Sequence, residues 1–237
     1  MTDLRFWFDP VCPFAWMTSK WVRVVASQRD YEVDWRPISL RLLNAHVDYD
    51  NHFPPEYERS HTAGLRLLRV AALARQEHGP AAVARLYEAY GGAIFEAPPG
   101  RDVPTLLDRG ELLPDVLTAA GLPQELAAAL DDTTWDAGVQ ASTDEALALA
   151  GKDVGTPVLQ FQPPDGVAFF GPVISRLPSD QDAVALWDHV IGLAGFAGFA
   201  ELKRSLRELP QLPALGVSAD QAGVTEDWHG GSRRPKR

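Results

Sequence analysis

Cys12 is the single cysteine in a chain of 237 residues, and its position is that of a reactive thiol. A short alternating stretch precedes it, which predicts a strand that Asp9-Pro10 ends. Pro13 follows at the predicted first helical position, where a proline fits because that N–H would have no partner. Cys12 would then cap the helix, with its sulfur facing free N–H groups and the positive end of the helix dipole. Because both favour the nucleophilic thiolate, the sequence predicts an activated cysteine with a lowered pKa.

The competing interpretation is structural, since a lone cysteine is often a small buried hydrophobic residue. Other chemistry finds no support in the sequence. The six histidines lack metal-ligand spacing and one cysteine cannot build a thiolate zinc site, so no metal is expected. Neither a G-x-G-x-x-G sequence nor a P-loop occurs, so no nucleotide site of either kind is expected.

The elements that would position Cys12 follow from hydrophobic periodicity. Residues 4–8 alternate as a strand, and residues 31–37 predict a second strand. The helix between them carries an apolar stripe made of Phe14, Met17, Trp21, Val24 and Val25.

The middle of the chain is helical in pattern and the last third returns to strands. Helices are predicted at 56–79, from 80 to about 90, near 110–120, at 123–131 and at 134–150. Strands are predicted at 156–161 and 167–170 around a PPDG turn, and helices at 179–195 and 198–208.

This order predicts an α/β protein with a thioredoxin-like fold and a large all-helical insertion. The expected thioredoxin-like domain is discontinuous, with residues 1–40 and 150–208 on either side of a helical insertion domain at 41–149. Residues 209–237 contain Pro and Gly without a clear period, which predicts an extended or disordered tail.

Composition and charge narrow the possible functions. The chain is 46% hydrophobic and 23% charged, as soluble globular proteins are. A net charge of -10 argues against sequence-independent binding to nucleic acid. No apolar run is long enough to cross a membrane, and no secretory signal is visible at the N-terminus. With one cysteine and hence no internal disulfide, these features predict a cytoplasmic protein.

Two segments carry a resemblance to a known superfamily. FWFDPVCPFAW (6–16) resembles the active-site start of DsbA-superfamily proteins, in which Cys-Pro-x-Cys opens a helix, and VGTPVLQF (154–161) resembles their cis-proline segment. That superfamily also inserts a helical domain into a thioredoxin fold. DGVAFFGPVISRLP (165–178) and FAELKRS (199–205) resemble one branch, the actinobacterial mycothiol-dependent nitroreductases.

The chain departs from the superfamily motif at Ala15, which stands where the second cysteine is found. That second thiol normally resolves a mixed disulfide on the first. A mixed disulfide on Cys12 therefore needs an external thiol to release it. The resemblance implies mycothiol as this low-molecular-weight cosubstrate, with no tightly bound cofactor.

The resemblance also suggests roles for the surrounding residues. Thr156 and Pro157, the latter as a cis-proline, would lie beside the sulfur, with the Thr156 backbone available to a ligand. Pro13, Phe14 and Trp16 flank the thiol and could bind the thiol or the substrate. Phe14 also fits the apolar stripe of a core residue, whereas Trp16 lies off that stripe and could equally line a flat hydrophobic pocket or belong to the core. Asp9 could tune the thiolate, but capping of the turn is the favoured interpretation.

The expected activity is that of a monothiol oxidoreductase acting on a small hydrophobic substrate, such as a nitroaromatic compound or another electrophile. Two alternatives stay open. One is an enzyme similar to kappa-class glutathione transferases and hydroxychromene-carboxylate isomerases. The missing second cysteine favours this alternative, whereas the presence of Cys12-Pro13 argues against it. The other is a degenerate, non-catalytic binding protein. Either a monomer or a homodimer is compatible with the sequence.

Overall fold

The structure is a computed structural model that describes residues 2–98, 100–217, 223–229 and 232–233. Its central sheet has the strand order β2-β1-β3-β4. These strands are β1 (Leu4–Phe8), β2 (Val33–Pro37), β3 (Val158–Phe161) and β4 (Ala168–Phe170). β1 runs parallel to β2 and antiparallel to β3, and β4 is antiparallel to β3. The thioredoxin-like arrangement predicted from the sequence is confirmed.

Helices cover the sheet and fill the interval between β2 and β3. Within the described residues they are α1 (Pro13–Gln28), α2 (Leu40–Leu43), α3 (Tyr49–His52), α4 (Glu56–His78), α5 (Pro80–Phe95), α6 (Val103–Asp108), α7 (Leu113–Ala120), α8 (Asp136–Ala150) and α9 (Asp180–Ala194). Segments of 3-10 helix lie at Gln124–Asp131, Thr133–Trp135 and Pro213–Leu215. The helix predicted at 123–131 is therefore a 3-10 helix, and the helix predicted to end near residue 90 continues to Phe95.

β1 buries side chains on both faces of the sheet. Leu4, Phe6 and Phe8 belong to the main core, whereas Trp7 packs on the other side in a smaller cluster with residues of β3 and α8. This division follows from the alternation of side chains along a strand. Because neither face is left to solvent, the end of β1 that leads to Cys12 is firmly held.

The prediction of a helix at residues 198–208 is wrong. α9 ends at Ala194, and the apolar residues that follow share no buried face, since the side chain of Leu202 is 85% exposed. β5 (Leu206–Glu208) instead pairs with β6 (Thr225–His229), which pairs with β7 (Ser232–Arg233), so that a second antiparallel sheet forms. The strand partner of β5 lies about twenty residues away in the chain, so local periodicity could not reveal it.

Parts of the predicted tail at 209–237 lie outside the described residues, namely 218–222, 230–231 and 234–237. The division into a discontinuous thioredoxin-like domain and a helical insertion domain stays a prediction. Among the described residues, no helix combines the length and the apolar character needed to cross a bilayer.

Candidate active site

Cys12 is the N-cap residue of α1, and Pro13 is the first residue of that helix, as predicted. The sulfur accepts a hydrogen bond from the backbone N–H of Ala15, with an N···S distance of 3.4 Å. The local turn is closed by the backbone N–H of Cys12, which donates to the Asp9 carbonyl at 3.1 Å. Sequence and geometry therefore place a single thiol at the positive end of a 16-residue helix.

The cis-proline segment faces this thiol. The Thr156–Pro157 peptide bond is cis, and the carbonyl oxygen of Thr156 lies 3.4 Å from the Cys12 sulfur, whose S–H donates to it. A second hydrogen bond joins the Thr156 hydroxyl to the carbonyl of Trp7 on β1 at 3.5 Å. The active-site segment and the cis-proline segment, 144 residues apart in the chain, thus meet at the sulfur.

The prediction that the pKa of Cys12 is lowered is wrong for the buried thiol in this structure. Burial raises the pKa of the thiol to about 12, and the negative charge of Asp9 acts in the same direction. The N–H groups of Ala15 and Phe14 and the charge of Arg207 lower it, but by less than burial raises it. Only 7% of Cys12 is exposed, and an ionised sulfur could not donate to Thr156. Burial therefore favours the protonated form of this shielded thiol.

Asp9 caps the turn before Cys12, which was the favoured prediction for this residue. Its carboxylate accepts from the backbone N–H groups of Val11 at 3.0 Å and Leu40 at 2.8 Å. Burial raises the pKa of Asp9 to about 7, and those two hydrogen bonds hold it from rising further. α4 approaches so closely that a Cβ on Gly64 would lie 2.6 Å from the Asp9 carboxylate, so this position has room only for glycine.

The two aromatic residues beside Cys12 have different surroundings. Phe14 packs in the same small cluster as Cys12 and lines the groove next to it. Trp16 lies in the main core instead, where its indole N–H donates to Glu96 at 2.9 Å, and it does not line the groove. This placement favours the core interpretation for Trp16. Ala15 is fully buried under the helix N-terminus.

A groove of about 1970 Å³ opens beside the thiol. Cys12, Pro13, Phe14 and Thr156 all line it, whereas Pro157 lies behind Thr156 and does not. Its other walls include residues from the α2–α4 region, from 149–155, from β4 and the turn after it, from the C-terminal part of α9 and from 199–210, together with Trp228. Among the described residues no cluster of three or more His, Cys, Asp or Glu side chains is placed to hold a metal ion.

Two residues of this site were missed by sequence analysis, because both lie in the region predicted to be a helix end and a tail. Trp228 of β6 packs in the Cys12 cluster, with its ring 4.8 Å from that of Phe14 in an edge-on arrangement. Arg207 of β5 lies over both rings, at 5.6 Å from Phe14 and 5.9 Å from Trp228. VTEDWH (224–229) contains the β-favouring residues Val224, Thr225 and Trp228, but it shows no apolar–polar alternation that would predict β6.

The fold and the cysteine facing a cis-proline define a DsbA-type protein of the thioredoxin fold. Among solved structures, the chain is similar to a probable DsbA oxidoreductase, SCO1869 of Streptomyces coelicolor, at 18% identity and a TM-score of 0.51, covering 88% of this chain and 97% of that one. It is also similar to the cytosolic disulfide reductase DsbM of Pseudomonas aeruginosa solved with GSH, at 16% identity and a TM-score of 0.47, covering 80% of this chain and 99% of that one. These likenesses concern the fold.

The family follows from the sequence match. Residues 11–204 match the Rv2466c-like family, described as mycothiol-dependent nitroreductase Rv2466c, and the chain belongs to that family. A further relative is the Mycobacterium tuberculosis protein Rv2286c, described as uncharacterized, which is 36% identical over 195 residues, or 82% of this chain and 78% of that protein. The resemblance to the DsbA superfamily and to its nitroreductase branch is thereby confirmed, and the family supports a thiol-dependent oxidoreductase.

Proposed function

We propose that the protein is a monothiol oxidoreductase in which Cys12 is the nucleophile and an external thiol, mycothiol by family, completes the cycle. One observation carries this proposal. The single cysteine of the sequence lies at the N-terminus of α1 against the cis-proline segment, while Ala15 occupies the place of a resolving cysteine. A mixed disulfide on Cys12 can then be released only by a thiol from outside the chain.

The proposed reaction balances with two external thiols for each two-electron step. Cys12 and the first thiol together give two electrons and two protons to a nitro group, which becomes a nitroso group and releases water. Cys12 and that thiol are left joined as a mixed disulfide. The thiolate of a second molecule then attacks the outer sulfur, so that an external disulfide leaves and Cys12 departs as a thiolate beside the N–H of Ala15.

The groove supports a small, largely apolar substrate. Aromatic and aliphatic side chains from the β4 region, including Phe170 and Val173, line it together with Phe14. A flat nitroaromatic compound fits such a surface, because aromatic rings bury much area and pack edge-on or offset against other rings. The thiol partner and this substrate are the only small molecules that the proposal requires.

The decisive experiment pairs intact-mass analysis with turnover. Incubation with oxidised mycothiol is expected to add one thiol to the wild-type chain, and reduced mycothiol is expected to remove it. Cys12→Ser should accept no adduct and should lose mycothiol-dependent reduction of a nitroaromatic probe by a factor of about 100 or more, since serine is a poor nucleophile at neutral pH. Circular dichroism and the melting temperature of the variant serve as folding controls.

Undiminished turnover by Cys12→Ser would remove Cys12 from the mechanism. A wild-type protein that takes up mycothiol only non-covalently, with no nitro reduction, would instead support the binding-protein alternative. The single cysteine suits a reducing compartment, which is why we place the proposed reaction in the cytoplasm. Sedimentation of the purified chain would decide between the monomer and the homodimer.

A further inference from the structure

The thiol is covered by a part of the chain that lies beyond the family match. That match ends at residue 204, whereas Arg207 is on β5 and Trp228 is on β6. Trp228 is as buried as Cys12 itself, each being 7% exposed, and the two pack in one cluster with Phe14 and Ala15. The partly buried side chains of Leu40, Val173 and Leu209 close the rest of this cluster.

This cover limits the access of a ligand from the groove to the sulfur. Attack on a disulfide needs the incoming and leaving sulfur atoms to lie nearly in line with the sulfur between them, so a ligand must contact Cys12 directly. In the structure Cys12 is only 7% exposed, because it packs in the cluster that contains Trp228. We propose that β6 is a displaceable cover of the Cys12 site and that Trp228 is its access-determining residue, which a thiol ligand must displace before it reaches the sulfur.

The contacts of β6 suit a part that opens. The sheet β5-β6-β7 is separate from the central sheet, and β6 is paired with β5 over three residue pairs. The indole N–H of Trp228 is buried and finds no hydrogen-bond partner among the described residues. A buried donor without a partner is unfavourable, so movement of Trp228 into water recovers a hydrogen bond that the closed arrangement lacks.

Other contacts hold the cover closed. The rings of Phe14 and Trp228 meet edge-on at 4.8 Å, which is a favourable aromatic geometry. The guanidinium of Arg207 lies over both rings and adds cation–π attraction. The backbone N–H of Trp228 donates to the carbonyl of Ser205 at 3.0 Å. These contacts add to the pairing of β6 with β5 over three residue pairs and with β7 over two.

Opening would change ionisation as well as access. Burial is the main reason for the high pKa of Cys12, and Asp9 adds to it, whereas the α1 N–H groups and Arg207 oppose it. Displacing Trp228 reduces the burial and leaves the α1 N–H groups in place. The cover therefore keeps the thiol protonated until a ligand is present, which protects it from oxidants that do not displace Trp228.

The test is the rate at which iodoacetamide alkylates Cys12, followed by intact mass between pH 6 and 10. Trp228→Ala is expected to raise this rate at pH 8 by about tenfold or more and to shift its pH profile to lower pH, because both access and thiolate fraction increase. Trp228→Phe keeps a ring on Phe14 and is expected to stay close to wild type. Val224→Ala is the matched control, since Val224 directly precedes β6 and is 58% exposed.

If a folded Trp228→Ala variant shows an unchanged rate and pH profile of Cys12 alkylation, the proposal that β6 covers the thiol is overturned. Should that variant unfold, acrylamide quenching decides instead. Mixed-disulfide formation with a small thiol should increase the quenchable tryptophan fluorescence of the wild type, but not that of Trp228→Phe, and an equal response of both would also overturn the proposal. The biological role rests on the proposed function of Cys12, but alkylation does not. Faster alkylation without nitro reduction would therefore refute only the function, and Cys12-dependent turnover with unchanged alkylation would refute only the cover.

Discussion

At the scale of single residues, the site is defined by one cysteine and by the lack of a second one. Cys12 has the helix N-terminus and the facing cis-proline segment of its superfamily, but Ala15 stands in the place of the second thiol. Ala15 is fully buried, and its backbone N–H already contacts the Cys12 sulfur. A sulfur attached to this residue would therefore start close to any disulfide that forms on Cys12.

Ala15→Cys is expected to convert the external resolving step into an internal one. The new thiol attacks the sulfur of Cys12, expels the bound small thiol and leaves a disulfide between residues 12 and 15. Intact mass after exposure to an oxidised small thiol should then show a loss of two hydrogens instead of an added thiol. Ala15→Ser, of similar size, should keep the stable adduct. A stable adduct on Ala15→Cys would show that the two sulfur atoms cannot meet.

The sequence revealed one half of the site and missed the other. Cys12, Pro13 and Thr156-Pro157 were predictable because each belongs to a local pattern, a helix start or a strand start. Arg207 and Trp228 were not, because their place depends on pairing between β5 and a strand far along the chain. The pKa of Cys12 was misjudged for the same reason. The helix dipole is a local property, whereas burial is produced by distant residues.

At the scale of elements, the position of α1 depends on its close contact with α5. Gly91 of α5 faces the indole of Trp16 on α1, and a Cβ at this position would overlap the ring. The indole is also tied to Glu96, which accepts from it and from Lys20 at 2.7 Å. This contact connects the helix that carries the thiol to the helical insertion, and no periodicity in the sequence predicted it.

Gly91→Ala is expected to destabilise the protein, because the added methyl group forces Trp16 and α1 to shift. Overpacking of this kind costs about 1–3 kcal/mol in the free energy of unfolding, measurable by urea denaturation. Gly92→Ala is the matched control, since a Cβ there meets nothing within 4 Å. That control should gain up to about 1 kcal/mol from the better helix propensity of alanine. Equal changes in both variants would refute a close contact between α1 and α5.

At the scale of the whole molecule, function and stability are coupled through buried charge. The chain has a net charge of -10, yet one of its carboxylates, that of Asp9, is fully buried between β1, α2 and α4. The same carboxylate raises the pKa of Cys12. Its ionisation therefore affects both the stability of the folded chain and the reactivity of the thiol.

Asp9→Asn is expected to change how stability depends on pH. The pKa of Asp9 is about 7 in the folded chain against an ordinary value of 3.8, so between these values the folded state holds a proton that the unfolded state has lost. The stabilisation linked to this proton is complete below pH 3.8 and disappears as the pH rises through about 7. The amide of the variant cannot ionise, so its effect on stability does not vary with pH. Its single oxygen replaces only one of the two carboxylate oxygens, which accept separately from Val11 and Leu40. Urea denaturation at steps from pH 4 to pH 8 should therefore show that the free energy of unfolding of the wild type falls relative to that of the variant as the pH rises. If the free energies of unfolding of the two proteins change in parallel with pH, the Asp9 carboxylate is in contact with water and the prediction is wrong.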